Sequence, residues 1–112
     1  IGADEDGNNV IVNSNSNGDP SVIAGTNSDD NGYIKTINSQ NKNTTVIGSK
    51  KDGTGYLKTF SNSGNRTSFI SSDRKGNGMI GLYDKDQKLQ YTQKGEKKII
   101  QQISVDDKKK KK

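Results

Sequence analysis

The chain has 112 residues, of which 25% are hydrophobic and 5% aromatic, and it contains no His, Cys or Trp. Its formal net charge of +5 arises from lysines 108–112, since the other 13 basic residues equal the 13 acidic ones in number. This composition excludes a disulfide framework, a Cys/His zinc site and the Ser-His and Cys-His nucleophile pairs. No apolar stretch approaches about 20 residues, so no transmembrane segment is predicted. No charged and apolar leader is visible either, which predicts no signal peptide.

An internal repeat organises the sequence. Isoleucines mark four units of similar length, which are residues 1–22, 23–46, 47–69 and 70–91. Two apolar columns recur through these units. The first contains Ile11, Ile34, Leu57 and Ile80, and the second contains Ile1, Ile23, Ile47 and Ile70. A repeat of this period indicates an array in which each unit is stabilised by stacking on its neighbours.

Each unit contains two short segments rich in Ile, Val, Thr, Tyr and Phe, separated by clusters of Gly, Asn, Asp and Ser. This pattern predicts strand, turn, strand and turn in every unit, and therefore an all-β fold. In chain order, the predicted turns are residues 6–9, 15–18, 30–32, 39–42, 52–55, 61–64, 75–78 and 85–88. Residues 92–107 are expected to form a capping or terminal segment, and the lysine tail 108–112 is expected to be disordered.

Two architectures would supply the stacking that a single hairpin lacks in water. One is an elongated β-repeat shaft, a trimeric β-helix or meander made of several identical chains, with the isoleucines near a shared axis. The other is a single-chain β-solenoid, in which each unit is one coil. Asp-Gly and Asn-Gly turns are typical of hairpins and favour the first. An ordered self-propagating assembly such as a functional amyloid is a third interpretation.

The repeats also resemble those of a known class of proteins. The runs at residues 1–8 and 46–53 contain a hydrophobic residue followed by a small one and then a Gly/Asn/Asp turn, and the run at 76–86 contains such a turn followed by a second hydrophobic segment. They look like the β-repeats of bacterial surface and phage fibre proteins, and the resemblance covers residues 1–91. It implies an elongated, usually trimeric, β-structured stalk. Unit one departs from the pattern at Asn13 and Ser14, and unit two carries an extra residue before Ile47.

Asp4, Glu5, Asp6, Gly7 and Asn8 resemble the opening of a calcium-binding loop, in which alternating carboxylates supply oxygen ligands. The equivalent stretches of later units carry basic pairs at 50–51 and 74–75, which would repel a cation. Turn formation explains the acidic run, so no metal or cofactor is predicted, and Asp4 and Asp6 are only weak candidates for a metal site.

Two asparagines match the acceptor pattern for N-glycosylation, Asn43 in Asn-Thr-Thr and Asn65 in Asn-Arg-Thr. A repeat that places a turn asparagine before a strand threonine produces such matches for structural reasons. Glycosylation is therefore a secondary hypothesis for these positions, conditional on a secretory route.

Alternation along a strand places Tyr33 with Lys35 and Tyr56 with Lys58 on one face. With Tyr83 and Tyr91 as further aromatic residues, these repeated aromatic and basic side chains could form a face that binds a sugar or a single-stranded nucleic acid. Lysine stems that cover neighbouring rings explain the same pattern without a ligand. The near-neutral body of the chain gives no reason to expect a nucleic-acid partner.

The leading hypothesis is a structural component of an extracellular fibre or filament, located at a cell surface or in a viral fibre and built with further copies of the same chain. The alternative is a surface adhesin or carbohydrate-binding module that uses the Tyr/Lys face to bind surface glycans. The carboxylates lie in turns without an obvious partner, so no enzyme is predicted.

Overall fold

The computed structural model describes residues 2–3, 5 and 7–96, and this part of the chain is all-β, as the sequence predicts. Its strands are β1 (Gly2–Ala3), β2 (Asn9–Ser14), β3 (Pro20–Thr26), β4 (Gly32–Ile37), β5 (Asn43–Ser49), β6 (Gly55–Phe60), β7 (Arg66–Ser72), β8 (Gly78–Tyr83) and β9 (Leu89–Lys94). Within these residues, no helix has the length and apolarity needed to cross a membrane.

The strands form one open sheet in the order of the sequence, from β1 to β9, and every neighbouring pair is antiparallel. Each strand therefore pairs with its neighbour in sequence, whereas the coils of a solenoid would pair equivalent strands of successive units. The boundaries between the predicted units fall inside strands β3, β5 and β7, so each repeat period adds the length of two strands to this meander. Strand β9 runs past the predicted end of unit four at Tyr91, and residues 97–107 and the lysine tail lie outside the described residues.

Seven five-residue loops join the strands from β2 to β9, and all have the same backbone geometry. In the loop 15–19, the Gly18 amide donates to the Asn15 carbonyl at 3.0 Å and the Asn15 amide donates to the Asp19 carbonyl at 2.8 Å. The same two hydrogen bonds close the loops 27–31, 38–42, 50–54, 61–65, 73–77 and 84–88. The fourth residue of every loop has a positive φ, which explains why glycine holds this place in four of the seven.

The first loop residue stabilises the turn through its side chain. In five of the seven loops it is Asn or Asp, and its Oδ1 accepts hydrogen bonds from the amides of the third and fifth residues. In the loop 61–65 the hydroxyl of Ser61 accepts from the amide of Asn65 at 3.2 Å. The loop 50–54 begins with Lys50, and there the third residue, Asp52, accepts from Thr54 at 2.9 Å. In every loop, a short polar side chain thus accepts hydrogen bonds from backbone amides that would otherwise be available for strand pairing, and the strand ends there.

A β-bulge recurs beside every second loop, always on the same side of the sheet where these loops lie. The register shifts once in every unit, at equal intervals along the chain, beside Asn13, Thr36, Thr59 and Leu82. Each shift leaves one extra residue on the facing strand, namely Ser21, Thr44, Thr67 and Gln90. The hydroxyl of Thr44 lies 2.7 Å from that of Thr36, and the hydroxyl of Thr67 lies 2.6 Å from that of Thr59. The extra residue makes the interval between successive loops alternately longer and shorter by one position.

The register gives the sheet two chemically different faces. The isoleucine face has a row of directly paired residues that contains Ile11, Ala24, Ile34, Ile47, Leu57, Ile70, Ile80 and Gln93. A second row beside it contains Asn13, Val22, Thr36, Thr45, Thr59, Ser68, Leu82 and Tyr91. The two predicted columns thus alternate in a single row across the sheet rather than forming two rows.

One member of the predicted columns lies elsewhere. Ile23 pairs with Val12 and Lys35 on the opposite face, and Ala24 takes its place in the isoleucine row. Ala24, Ile47 and Ile70 are evenly spaced, so the period is constant and unit two has no extra residue before Ile47. The prediction that Ile23 belongs to the column is wrong, because the pairing register places the small residue Ala24, and not the larger Ile23, on the face of Ile11 and Ile34. Ile1 lies outside the described residues.

The opposite, aromatic face carries Val12, Ile23, Tyr33, Lys35, Ile37, Val46, Tyr56, Lys58, Phe60, Arg66, Phe69, Met79, Gly81 and Tyr83. Its aromatic side chains are half-buried against glycines and aliphatic stems, while five of the isoleucines on the other face remain 40–55% exposed. Among the described residues no hydrophobic side chain is fully buried. The sheet is therefore a single layer whose two faces are covered to different extents.

Candidate functional site

The aromatic face contains the candidate ligand site that the sequence predicts in part. Tyr33 and Tyr56 are both direct partners of Gly48, one on each side of it. Lys35 and Lys58 likewise flank Val46 in the adjacent row. The structure therefore brings the four predicted residues together on one face, in two neighbouring rows.

Each lysine covers a tyrosine ring of its own strand. The Nζ atom lies 5.9 Å from the ring centroid for Lys35 over Tyr33, and 4.9 Å for Lys58 over Tyr56. Both distances fall within the range of cation–π attraction. The lysine stems shield the rings from water, and the charged ends remain at the surface.

A third cation–π pair extends this arrangement along the sheet. The guanidinium carbon of Arg66 lies 4.8 Å from the ring centroid of Tyr83. The Tyr83 ring also contacts Phe69, with centroids 6.0 Å apart and an interplanar angle of 54°. Phe69 in turn lies directly over Gly81, where an added Cβ atom would overlap the Phe69 ring. Glycine at this place is required for the ring to lie flat on the neighbouring strand.

These side chains line a shallow cavity of about 300 Å³ between strands β6 and β8. Its aromatic walls are Tyr56, Phe69 and Tyr83, and its basic groups are Lys50, Lys58 and Arg66. No carboxylate lines the cavity. Because flat rings bind apolar surfaces and three cations attract negative charge, this aromatic cleft suits an anionic ligand with an apolar face, such as a charged sugar.

The carboxylates of the described residues lie in loops and near strand ends instead. Backbone hydrogen bonds hold the pKa of three of them below the ordinary value of 3.8. The main donor is the Thr54 amide for Asp52, the Asn77 amide for Asp73 and the Lys88 amide for Asp84. These groups stay ionised at neutral pH and serve the turns. Asp73 also pairs with Lys94 at 3.6 Å.

The two candidate metal ligands, Asp4 and Asp6, lie outside the described residues. Among the residues that the structure does describe, no cluster of three His, Cys, Asp or Glu side chains could hold a metal ion. The glycosylation candidates are both exposed, with Asn43 at the start of β5 and Asn65 in the last position of its loop.

Tyr83 lies on the face that the sequence predicts, whereas Tyr91 lies on the isoleucine face. Arg66, Phe69 and Lys50 join the site only in three dimensions. The sequence placed Lys58 beside Tyr56 through alternation along one strand. Arg66 lies on β7 and contacts Tyr83 on the adjacent strand β8. The register of β7 at Arg66 depends on the bulge at Thr67. The extra residue has no distinctive signature in a single sequence, since Ser, Thr and Gln all occupy it.

No protein-family model matches the chain, and no curated protein matches it either.

Proposed function

We propose that the chain is a structural segment of an extracellular fibre or filament, at a cell surface or in a viral fibre. The observation that carries this proposal is the constancy of the hairpin unit. Loop geometry, bulge position and the alternation of faces all recur with one constant period along the chain. A chain of such units gains length by repetition without any change of local structure, which is what a spacer requires.

The geometry gives the length added by each unit. Neighbouring strands lie about 4.8 Å apart, so one hairpin extends the sheet by about 9.6 Å. Further copies of the same chain, in a trimeric or other shaft, would cover the exposed isoleucines and stiffen this thin layer. The resemblance of residues 1–91 to the repeats of surface and fibre proteins supports the same function.

Changing the number of units tests the spacer function. A tandem duplication of residues 47–69 should lengthen the particle by about 9.6 Å in small-angle X-ray scattering while its cross-section stays constant. Deleting the same segment should shorten it equally, because Val46 would then precede Ile70 in the place of Ile47. A maximum dimension that ignores the number of units would contradict the proposal.

A deletion shorter by one residue is the matched control. Removing residues 47–68 places Phe69 where Ile47 stood and turns Ile70 to the aromatic face, since side chains alternate along a strand. We expect this variant to unfold at a lower denaturant concentration than the variant that lacks the whole segment 47–69.

A second function is favoured by one observation, the aromatic cleft with three cations and no carboxylate. It supports a surface adhesin or carbohydrate-binding module for acidic surface glycans. Replacing Tyr56 with Ser should abolish retention on an immobilised acidic polysaccharide, while replacing Tyr33, which lies outside the cleft, should weaken it less. Equal retention of both variants and the parent would exclude this function.

A further inference from the structure

The isoleucine face differs from every other surface of the described sheet in carrying no charged residue. Its strand positions hold only Gly, Ala, Val, Leu, Ile, Ser, Thr, Asn, Gln and Tyr. The lysines and arginine of the strands lie on the aromatic face, and the carboxylates lie in the loops and at residue 96. Depletion of charge around an apolar centre is the compositional mark of a protein interface.

Exposure on this face is large for apolar side chains. Ile11, Ile70, Ile34 and Ile47 are 47–55% exposed, and Leu82 and Tyr91 in the adjacent row are 49% and 47% exposed. Together with Ala24, Leu57 and Ile80, the four isoleucines form a continuous apolar row across strands β2 to β8, and Leu82 and Tyr91 lie in the row beside it. A contiguous apolar patch of this kind marks a surface that is covered in the functional state.

The dimensions of the face match those of a stable interface. Eight strands about 4.8 Å apart, with six or seven residues rising about 3.3 Å each, give a face of roughly 34 Å by 20 Å, or about 700 Å² in projection. Specific protein interfaces bury about 800 Å² on each partner. One face of the sheet therefore offers enough area for a single partner of the same size.

We infer that the isoleucine face is the surface through which this chain packs against a second copy of itself. The distribution of charged side chains on the two faces favours a second copy that binds through its own isoleucine face. Two isoleucine faces meet without a charge on either side, whereas two aromatic faces would oppose Lys35, Lys58, Arg66 and Lys94 to the same four cations. Stable domains contain at least two packed layers, and a second sheet about 10 Å away supplies the layer that the described residues lack.

The paired sheets would bury the isoleucine rows of both copies. The second row of each sheet, which contains Thr36, Thr45 and Thr59, would flank this new core. The aromatic cleft would stay open to solvent on the outer side. This inference deepens the proposed function, because it names the contact that would join the chains of the fibre. It is tested separately, since length per unit and mass in solution are independent measurements.

Sedimentation equilibrium of the full chain gives the first test. We expect an assembly of two or more chains at micromolar concentration. Ile47→Lys should weaken self-association at least 100-fold, because a lysine would be buried against an apolar row. Val12→Lys is the matched control, since Val12 is 44% exposed but lies on the aromatic face, and it should associate like the parent. A monomer at all concentrations, or an equal effect of the two variants, would overturn the inference.

A second measurement does not depend on the folding of a charged variant. The chain has no cysteine, so single thiols can be introduced as Thr45→Cys on the isoleucine face and Thr92→Cys on the aromatic face. Alkylation of the first thiol should slow at least tenfold as the protein is concentrated, while alkylation of the second should not change. An alkylation rate at the Thr45→Cys thiol that does not fall with protein concentration, or that falls equally at both sites, would refute the assignment of the interface.

Discussion

The two faces of this sheet share one backbone, yet they are stabilised in different ways. On the aromatic face, rings lie over glycines and under lysine and arginine side chains, so that each strand covers part of its neighbour. On the isoleucine face, the side chains stand side by side and remain about half exposed. A single layer thus covers one of its faces with its own side chains and leaves the apolar side chains of the other face about half exposed.

The largest expected effect comes from breaking the packing of the aromatic face at Gly81. A methyl group there would overlap the Phe69 ring, so Gly81→Ala should lower the free energy of unfolding by about 2–3 kcal/mol. Gly78→Ala is the matched control on the same strand, because nothing lies within 4 Å of its Cβ position. Urea denaturation in dilute solution measures both, and a similar loss for the two variants would contradict the comparison.

Substitutions at the adjacent residues Leu82 and Tyr83 test the stability contribution of each face separately. Tyr83→Ala removes the ring contact with Phe69 and the cation–π contact with Arg66, and should cost about 2 kcal/mol. Leu82→Ala changes the opposite face, where the side chain is already 49% exposed, and should cost less than about 1 kcal/mol in dilute solution. Thermal unfolding at low and high protein concentration provides the measurement. The cost of Leu82→Ala should rise with concentration as copies pair, and a constant cost would count against pairing.

The loops belong to neither face, so changes there should act equally at every concentration. Gly53 has φ of 90° in its loop, and Gly53→Ala should cost about 1 kcal/mol because a Cβ disfavours this conformation. Asp30 adopts φ of 63° at the equivalent place, so Asp30→Gly should raise stability by a smaller amount. Chemical denaturation at two protein concentrations checks both signs, and a stabilised Gly53→Ala would refute the assignment of these loops.

The smallest expected effect is on the loss of folding stability at low pH. The pKa values of Asp52, Asp73 and Asp84 are lowered in the folded chain, so these groups stabilise it fully above their ordinary value of 3.8. That contribution is lost as the pH falls through the folded pKa values. Asparagine fills the place of Asp73 and Asp84 in three other loops. The double variant Asp73→Asn and Asp84→Asn should therefore show a flatter loss of stability between pH 5 and pH 2, measured by circular dichroism.

Much of this fold could be predicted from the sequence. Turn residues and apolar segments predicted the all-β class, and the structure confirms it. The pattern could not distinguish Ile23 from Ala24, because a column is recognised by large apolar residues and only the pairing shows which of the two shares a face with Ile34. The bulge residues were also missed, since an extra Thr44 or Thr67 resembles any other strand threonine. The position of Arg66 over Tyr83 depends on that register.

The bulges have a mechanical consequence. All four lie at the same margin of the sheet, one in each unit, so one border of the ribbon contains more chain than the other. A bulge bends its strand and increases the local right-handed twist. Because every unit repeats the bend at the same border and with the same hand, the bends add along the ribbon instead of cancelling. The number of units therefore sets the total coiling of the ribbon as well as its length.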